Sequence, residues 1–344
     1  MHDRHDISMR ANHIFFLGLV ILTLIFAVLG AATGDVFYLR LATEALILGG
    51  LAFSVDILMG FGGLLSLGQA LYFGIGAYVA TLVLRDVPSF WLAMGAAALA
   101  SLAAGIIGGL IANRVRGVYF ALITFGMAQV VAKAVYNTRE LGASDGLIGV
   151  PVVEIPFGLF SVSAGSPVGF LLVTAAVIAI LYAGVAYLLT TPFGRVIVAL
   201  KANEKRVPFL GYSTWWPRMV AYVAAAVVAG ISGALYPVLR GFVSPELMTF
   251  AASGNAVIMA VIGGVGTLVG ALYGAIILTG LKSVIGSMTE HHLIVIGLLF
   301  IFAILFMPKG VLGLVKPRLM NAIRNREMAR VSAQAGNTAQ EVQS

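Results

Sequence analysis

Apolar residues in this chain come in long, nearly unbroken runs rather than in the one-faced periodic patterns of a soluble protein. A bilayer core takes about 20 such residues per helix, with roughly 17–25 tolerated. Runs of this kind cover 13–33, 39–60, 66–84, 89–112, 117–136, 167–189, 219–238, 250–264, 268–286 and 292–307. They predict an all-α fold, a polytopic bundle of about ten transmembrane helices. The eighth run is short, and Gly263-Gly264-Val265-Gly266 separates it from the ninth. That pair reads either as two spans or as one broken, re-entrant element. The first run exceeds the 7–15-residue apolar stretch of a signal peptide and reads as a retained helix.

The runs divide the chain into a short N-terminal segment, 1–12, a membrane domain, 13–315, and a polar tail, 316–344. The tail ends in Ala, Gln, Asn and Ser and reads as disordered. The longest connection inside the membrane domain is 137–166.

Composition supports lipid as the solvent. Of 344 residues, 60% are hydrophobic and 10% charged, against roughly 25% charged in soluble domains. The 41 glycines, with only 11 prolines, suit close helix packing rather than a flexible chain. The absence of cysteine excludes disulfides, thiolate metal sites and cysteine nucleophiles. A net charge of +7 raises the question of nucleic acid, but the basic residues lie between apolar runs and in the tail.

Those basic residues also set the orientation. With the N-terminus inside, cytoplasmic segments hold Arg4 and Arg10, Arg114 and Arg116, the group Arg195, Lys201, Lys205, Arg206 and Arg218, and the basic tail from Lys309 to Arg330. The 137–166 loop sets Arg139 against Glu140, Asp145 and Glu154. The positive-inside rule therefore places both termini in the cytoplasm.

Small residues recur every fourth position in Ala97, Ser101, Gly105 and Gly109, in Ala221, Ala225, Ala229 and Gly233, and in Gly266, Gly270 and Gly274. Such stripes predict close helix contacts, the third adjoining the glycine hinge. Ionisable residues inside spans are costly and are candidates for function. Glu44 and Asp56 lie in the second run, Glu44 within one turn of Arg40 as a partner on the same face. Lys133 and Lys282 sit near outer ends and read as snorkelling side chains. The adjacent His291 and His292, beside Glu290, make a poor metal site because neighbouring helical side chains diverge. Trp215 and Trp216 read as an interfacial aromatic belt.

The segment from Arg195 to Arg206 reads as a short amphipathic helix, with Val196, Val198, Ala199 and Leu200 apolar and Lys201, Glu204 and Lys205 polar. It suits either the inner leaflet or a cytoplasmic partner. Phe193-Gly194-Arg195, Ala199, Asn203-Glu204 and Leu210-Gly211 resemble the coupling segment of permease subunits from branched-chain amino acid ABC importers. Gly63 to Ala70 with Gly68, Gln69, Gly74 and Gly76, then Ala229 to Tyr236 with Ser244-Pro245, resemble further family signatures in the same order. So does Val261 to Leu268 with Gly263, Gly264, Gly266 and Gly270. The resemblance covers about residues 40–315 and is nearer to the longer, LivM-type permease.

What the resemblance implies is a bacterial inner-membrane subunit that pairs with a related permease, two cytoplasmic ATPases and an external binding protein. Residues 194–211, with Gly194, Arg195, Ala199, Asn203, Glu204 and Gly211, would couple to the ATPase. The glycines and Gln69 become pathway or hinge candidates. Pro208 departs from relatives and should end or kink the docking helix. No Gly-x-x-x-x-Gly-Lys-[Ser/Thr] loop occurs, so ATP is expected on partner chains and no cofactor on this one. Neither His-Glu-x-x-His nor Gly-x-Ser-x-Gly occurs, which argues against an intramembrane enzyme. The cargo implied is a hydrophobic amino acid, with urea or short amides, or a self-sufficient carrier, as alternatives.

Overall fold

A computed structural model describes residues 2–157, 161–288, 292–306, 310–317 and 320. Among them the chain forms the α-helices α1 (His2–Thr33), α2 (Val36–Asp56), α3 (Gln69–Asp86), α4 (Phe90–Ala112), α5 (Val118–Asn137), α6 (Pro167–Thr190), α7 (Pro192–Asn203), α8 (Trp215–Arg240), α9 (Phe250–Gly263), α10 (Gly270–Met288) and α11 (His292–Phe306), followed by a helical stretch at 310–317. All the apolar runs coincide with helices, and α7 is the amphipathic addition. Seven described helices are long and apolar enough to cross a membrane: those in α1, α2, α4, α5, α6, α8 and α10. The shorter α9, at 14 residues, reaches only about 21 Å.

Local chemistry sets several boundaries. Asp35 caps α2 by accepting from the Phe37 N–H, and Ser166 and Thr191 cap α6 and α7 ahead of Pro167 and Pro192. A π-helical turn, Ile57–Gly62, follows α2 and is closed by Gly63 in the left-handed region. Gly241 closes α8 in the same way.

The core lies where α2, α3, α8 and α10 meet, and α2 is buried almost continuously from Ala45 to Leu58. The small-residue stripe of α4 packs on α8 beside that helix's own stripe: a Cβ on Gly105 would lie 2.7 Å from that of Ala226, and one on Gly230 would overlap Ser101, whereas Gly233 of the α8 stripe abuts the Phe73 carbonyl of α3. Tyr72 of α3 donates to the Tyr222 hydroxyl of α8 at 2.9 Å. On the periphery, α1 is held by Phe16 stacked on Tyr182 and by Tyr273 donating to the Phe15 carbonyl.

The 137–166 connection is not a plain loop. Its β1 (Leu147–Ile148) pairs antiparallel with β4 (Phe242–Val243), beyond α8, and β2 (Glu154–Pro156) pairs with β3 (Ser161–Ser163). These strands cover one end of the bundle. The opposite end gathers the close of α2, the helix α7 and the turn between α9 and α10. That turn makes α9 and α10 a tight helical hairpin, for a Cβ on Gly263 would overlap the Gly270 carbonyl and one on Gly274 the Met259 carbonyl. Glu290, His291 and nearly all of the 316–344 tail lie outside the described residues.

Candidate functional site

Asp56 ends α2 and is fully buried. Its Oδ1 accepts from the Gly266 N–H at 2.6 Å and its Oδ2 from the Leu268 N–H at 3.2 Å. Both amides belong to the turn between α9 and α10. There Gly264, Gly266 and Leu268 hold φ of 117°, 78° and 65°, a conformation that is costly for leucine. One carboxylate thus pins a strained turn to the end of a core helix.

A third element joins them. Lys201 of α7 donates to the Gly60 carbonyl in the π-helical turn just after Asp56. Gly60 has no room for a side chain, since a Cβ would overlap the Asp56 carboxylate and lie 2.6 Å from the Gly266 nitrogen. Residues 310–317 are helical and pack on the same turn, with Gly310 against Gly264. Burial lowers the Lys316 ammonium to about 8, opposed by attraction to the Asp56 carboxylate. Packing therefore continues through the 315/316 boundary drawn from composition.

The fit of α7 explains its key residues. A Cβ on Gly194 would overlap the Leu188 carbonyl and Leu189 backbone, so α7 lies hard against the end of α6. Ile197 and Leu200 are buried beneath it. Just beyond its end, Glu204 forms ion pairs with Arg218 at the start of α8 and with Arg116 before α5, the latter at 3.1 Å. Arg195 and Asn203 face out, Ala199 is half-buried, and Gly211 closes a 3-10 turn, Pro208–Leu210, at φ 79°. The helix expected over 195–206 instead runs from Pro192 to Asn203, because Thr191 caps it early and the chain turns at 204–207. Pro208 lies outside it and opens the next turn rather than kinking α7. Phe193 and Phe209 stand 52% and 90% exposed.

The pathway and hinge candidates separate. Gly263, Gly264, Gly266 and Gly270 gather at the turn that Asp56 holds. The other four do not. Gly68 is closed off by the Thr124 carbonyl and Gly76 by the Gly230 carbonyl, both backbone contacts, while Gly74 meets only flexible Met248. These are close-approach positions in helix packing. Gln69 is buried beside Ser66, its Oε1 without a partner among the described residues.

Two ionic expectations are corrected. Glu44 pairs with Arg240 at 2.6 Å rather than with Arg40, because α8 packs along α2 and brings its last residue across. Lys282 does not snorkel outward but donates to the Asn255 Oδ1 of α9 at 3.2 Å. Lys133 is exposed, its ammonium 4.7 Å from the Tyr136 ring centre. Asp56 differs from all of these. Sequence spacing cannot show that its partners are backbone amides far along the chain.

Residues 37–304 match the family described as branched-chain amino acid transport system, permease component. The chain belongs to this permease family. It is 30% identical over 301 residues to the high-affinity branched-chain amino acid transport system permease protein LivM of Salmonella typhimurium strain LT2, covering 81% of this chain and 71% of the relative. LivM of Escherichia coli K12 is also 30% identical, over 291 residues, covering 78% and 68%. The LivH permease of the same Salmonella strain is 25% identical over 294 residues, covering 76% and 90%. No solved structure matches. The family region contains Asp56, α7 and the α9–α10 turn, so the cluster lies within the matched region except for residues 310–317, which follow it.

Proposed function

We propose that this chain is the LivM-type permease subunit of an ATP-binding cassette importer for branched-chain or other hydrophobic amino acids. It crosses the bacterial inner membrane about ten times, α9 and α10 counting as a short hairpin, with both termini and α7 on the cytoplasmic face. A second, related permease completes the path, as likeness to both LivM and LivH supports. Two cytoplasmic ATPases and an external binding protein complete the importer. ATP is bound and hydrolysed on those ATPases; this chain carries no phosphate loop.

The observation that carries this reading is the continuity from α7 to the hinge. Exposed Phe193 and Phe209, with Arg195, Lys205 and Arg206 nearby, offer an aromatic and basic face to a cytoplasmic partner. Glu204 links α7 to α8, and Lys201 links it to Gly60, next to the carboxylate that holds the α9–α10 turn. A push on α7 therefore reaches α2, α8 and α10 through polar contacts rather than through loose loops.

A self-sufficient proton-driven carrier is less well supported. Such a carrier needs an intramembrane carboxyl free to exchange protons, whereas Asp56 is committed to two backbone amides and Glu44 to Arg240.

The test is to rebuild the importer with Gly194→Val or Glu204→Gln and measure leucine uptake alongside ATP hydrolysis. Gly194→Val displaces the short helix α7 from the end of α6 without entering the α3–α8 core, so both variants should insert and assemble, yet move less leucine per ATP hydrolysed. Normal uptake together with normal stimulation of the ATPase in both would remove the coupling role from this segment.

A further inference from the structure

At the end of the bundle away from α7, a cavity of about 600 Å³ opens between α2, α8 and α10. Arg40 and Glu44 of α2, Arg240 of α8 and Lys282 of α10 line it. Glu44 is paired with Arg240 and Lys282 with Asn255, while Arg40 has no partner among the described residues. Three cations thus face one carboxylate, leaving surplus positive charge. A second cavity, of about 110 Å³, adjoins it and shares Leu48, Met259 and Lys282. Leu51 and Phe73 make its wall apolar.

We propose that the two cavities together bind a zwitterionic aliphatic amino acid on its way through the permease. This rests on the import reading above and narrows its substrate class. The ligand carboxylate is met by Arg40 and Lys282, its ammonium by Glu44, and its side chain enters the pocket of Leu48, Phe73 and Met259. Charge-assisted hydrogen bonds are the strong ones, and they strengthen where water is partly excluded. Urea or a neutral amide forms none of the ion pairs and leaves Arg40 without a counter-charge, so the site discriminates against the alternative cargo.

The site also has a mechanical place. Glu44 and Asp56 are twelve residues apart on α2, about 18 Å along the axis. Lys282 is the same distance along α10 from Gly270, beside the hinge. The helices that carry the charged cavity therefore end at the cluster that contacts α7.

The test uses the assembled permease–ATPase complex without its binding protein, so that the binding protein's own selectivity does not intrude. Saturation-transfer NMR would compare L-leucine, leucine methyl ester, which lacks the carboxylate, and 4-methylpentanoate, which lacks the ammonium. Wild type should prefer leucine to each analogue by about tenfold. Arg40→Gln should erase the preference over the ester, and Arg40→Lys should restore part of it. Glu44→Gln should erase the preference over 4-methylpentanoate. If both variants keep the wild-type preferences, or wild type does not distinguish leucine from the ester, this site is refuted while the import reading stands. If the complete wild-type importer carries urea and not leucine, the cargo assignment fails, and this site with it.

Discussion

Asp56 acts at the scale of a single side chain by supplying acceptors that no neighbour in sequence needs. Its two oxygens satisfy amides of a turn whose backbone conformation is unfavourable unless held. Asp56→Ala leaves the buried Leu268 donor and the half-buried Gly266 donor unpaired, which costs about 2–6 kcal/mol at the usual penalty per group. Asp56→Asn keeps one good acceptor and should fall between. Melting temperatures of the detergent-purified subunit should therefore run wild type, then Asn, then Ala, and an Ala variant as stable as wild type would contradict this account. Glu44 and Lys282 make the complementary point. Both are ionisable residues within helices, and both find partners on a different helix.

Among the elements, packing of α3 and α4 on α8 depends on the absence of side chains at a few points. A Cβ on Gly76 would overlap the Gly230 carbonyl, and backbone on backbone has no rotamer by which to yield. Gly76→Val should force α3 from α8 and prevent accumulation of a protease-resistant subunit in the membrane. Gly95→Val, on a face of α4 with nothing within 4 Å, should accumulate normally. Equal behaviour of the two would show that α3–α8 packing is looser than described. At α7, Gly194 also permits a close backbone contact, with α6, but there a side chain displaces a short peripheral helix rather than the core.

For the whole molecule, the decisive question is which end faces the cytoplasm. The chain contains no cysteine, so single cysteines can report position without a background. Ser144→Cys, in the connection that carries β1, should react with a membrane-impermeant maleimide in intact cells. Phe209→Cys, beyond α7, should react only after the membrane is permeabilised. The reverse pattern would invert the bundle and separate α7 from any cytoplasmic ATPase.

Much of this architecture was legible in the chain because the requirement of lipid is local. A helix that satisfies its own backbone needs a stretch of apolar residues, and each run from 13–33 to 292–307 coincides with a helix for that reason. The family was legible too, since its signatures are short, contiguous and ordered. So was the amphipathic helix, apart from its ends at Pro192 and Asn203. What only the tertiary structure decided was who meets whom. Spacing along one helix offered Glu44 the nearby Arg40, yet helix packing delivered Arg240. Nothing near Asp56 in sequence announced Gly266 and Leu268. Contacts between helices depend on which faces pack, and a run apolar on all sides does not disclose its face. The positions of the apolar helices are therefore written in the chain, whereas the link from α7 to the hinge and the charged cavity at the other end exist only once α2, α8 and α10 are assembled.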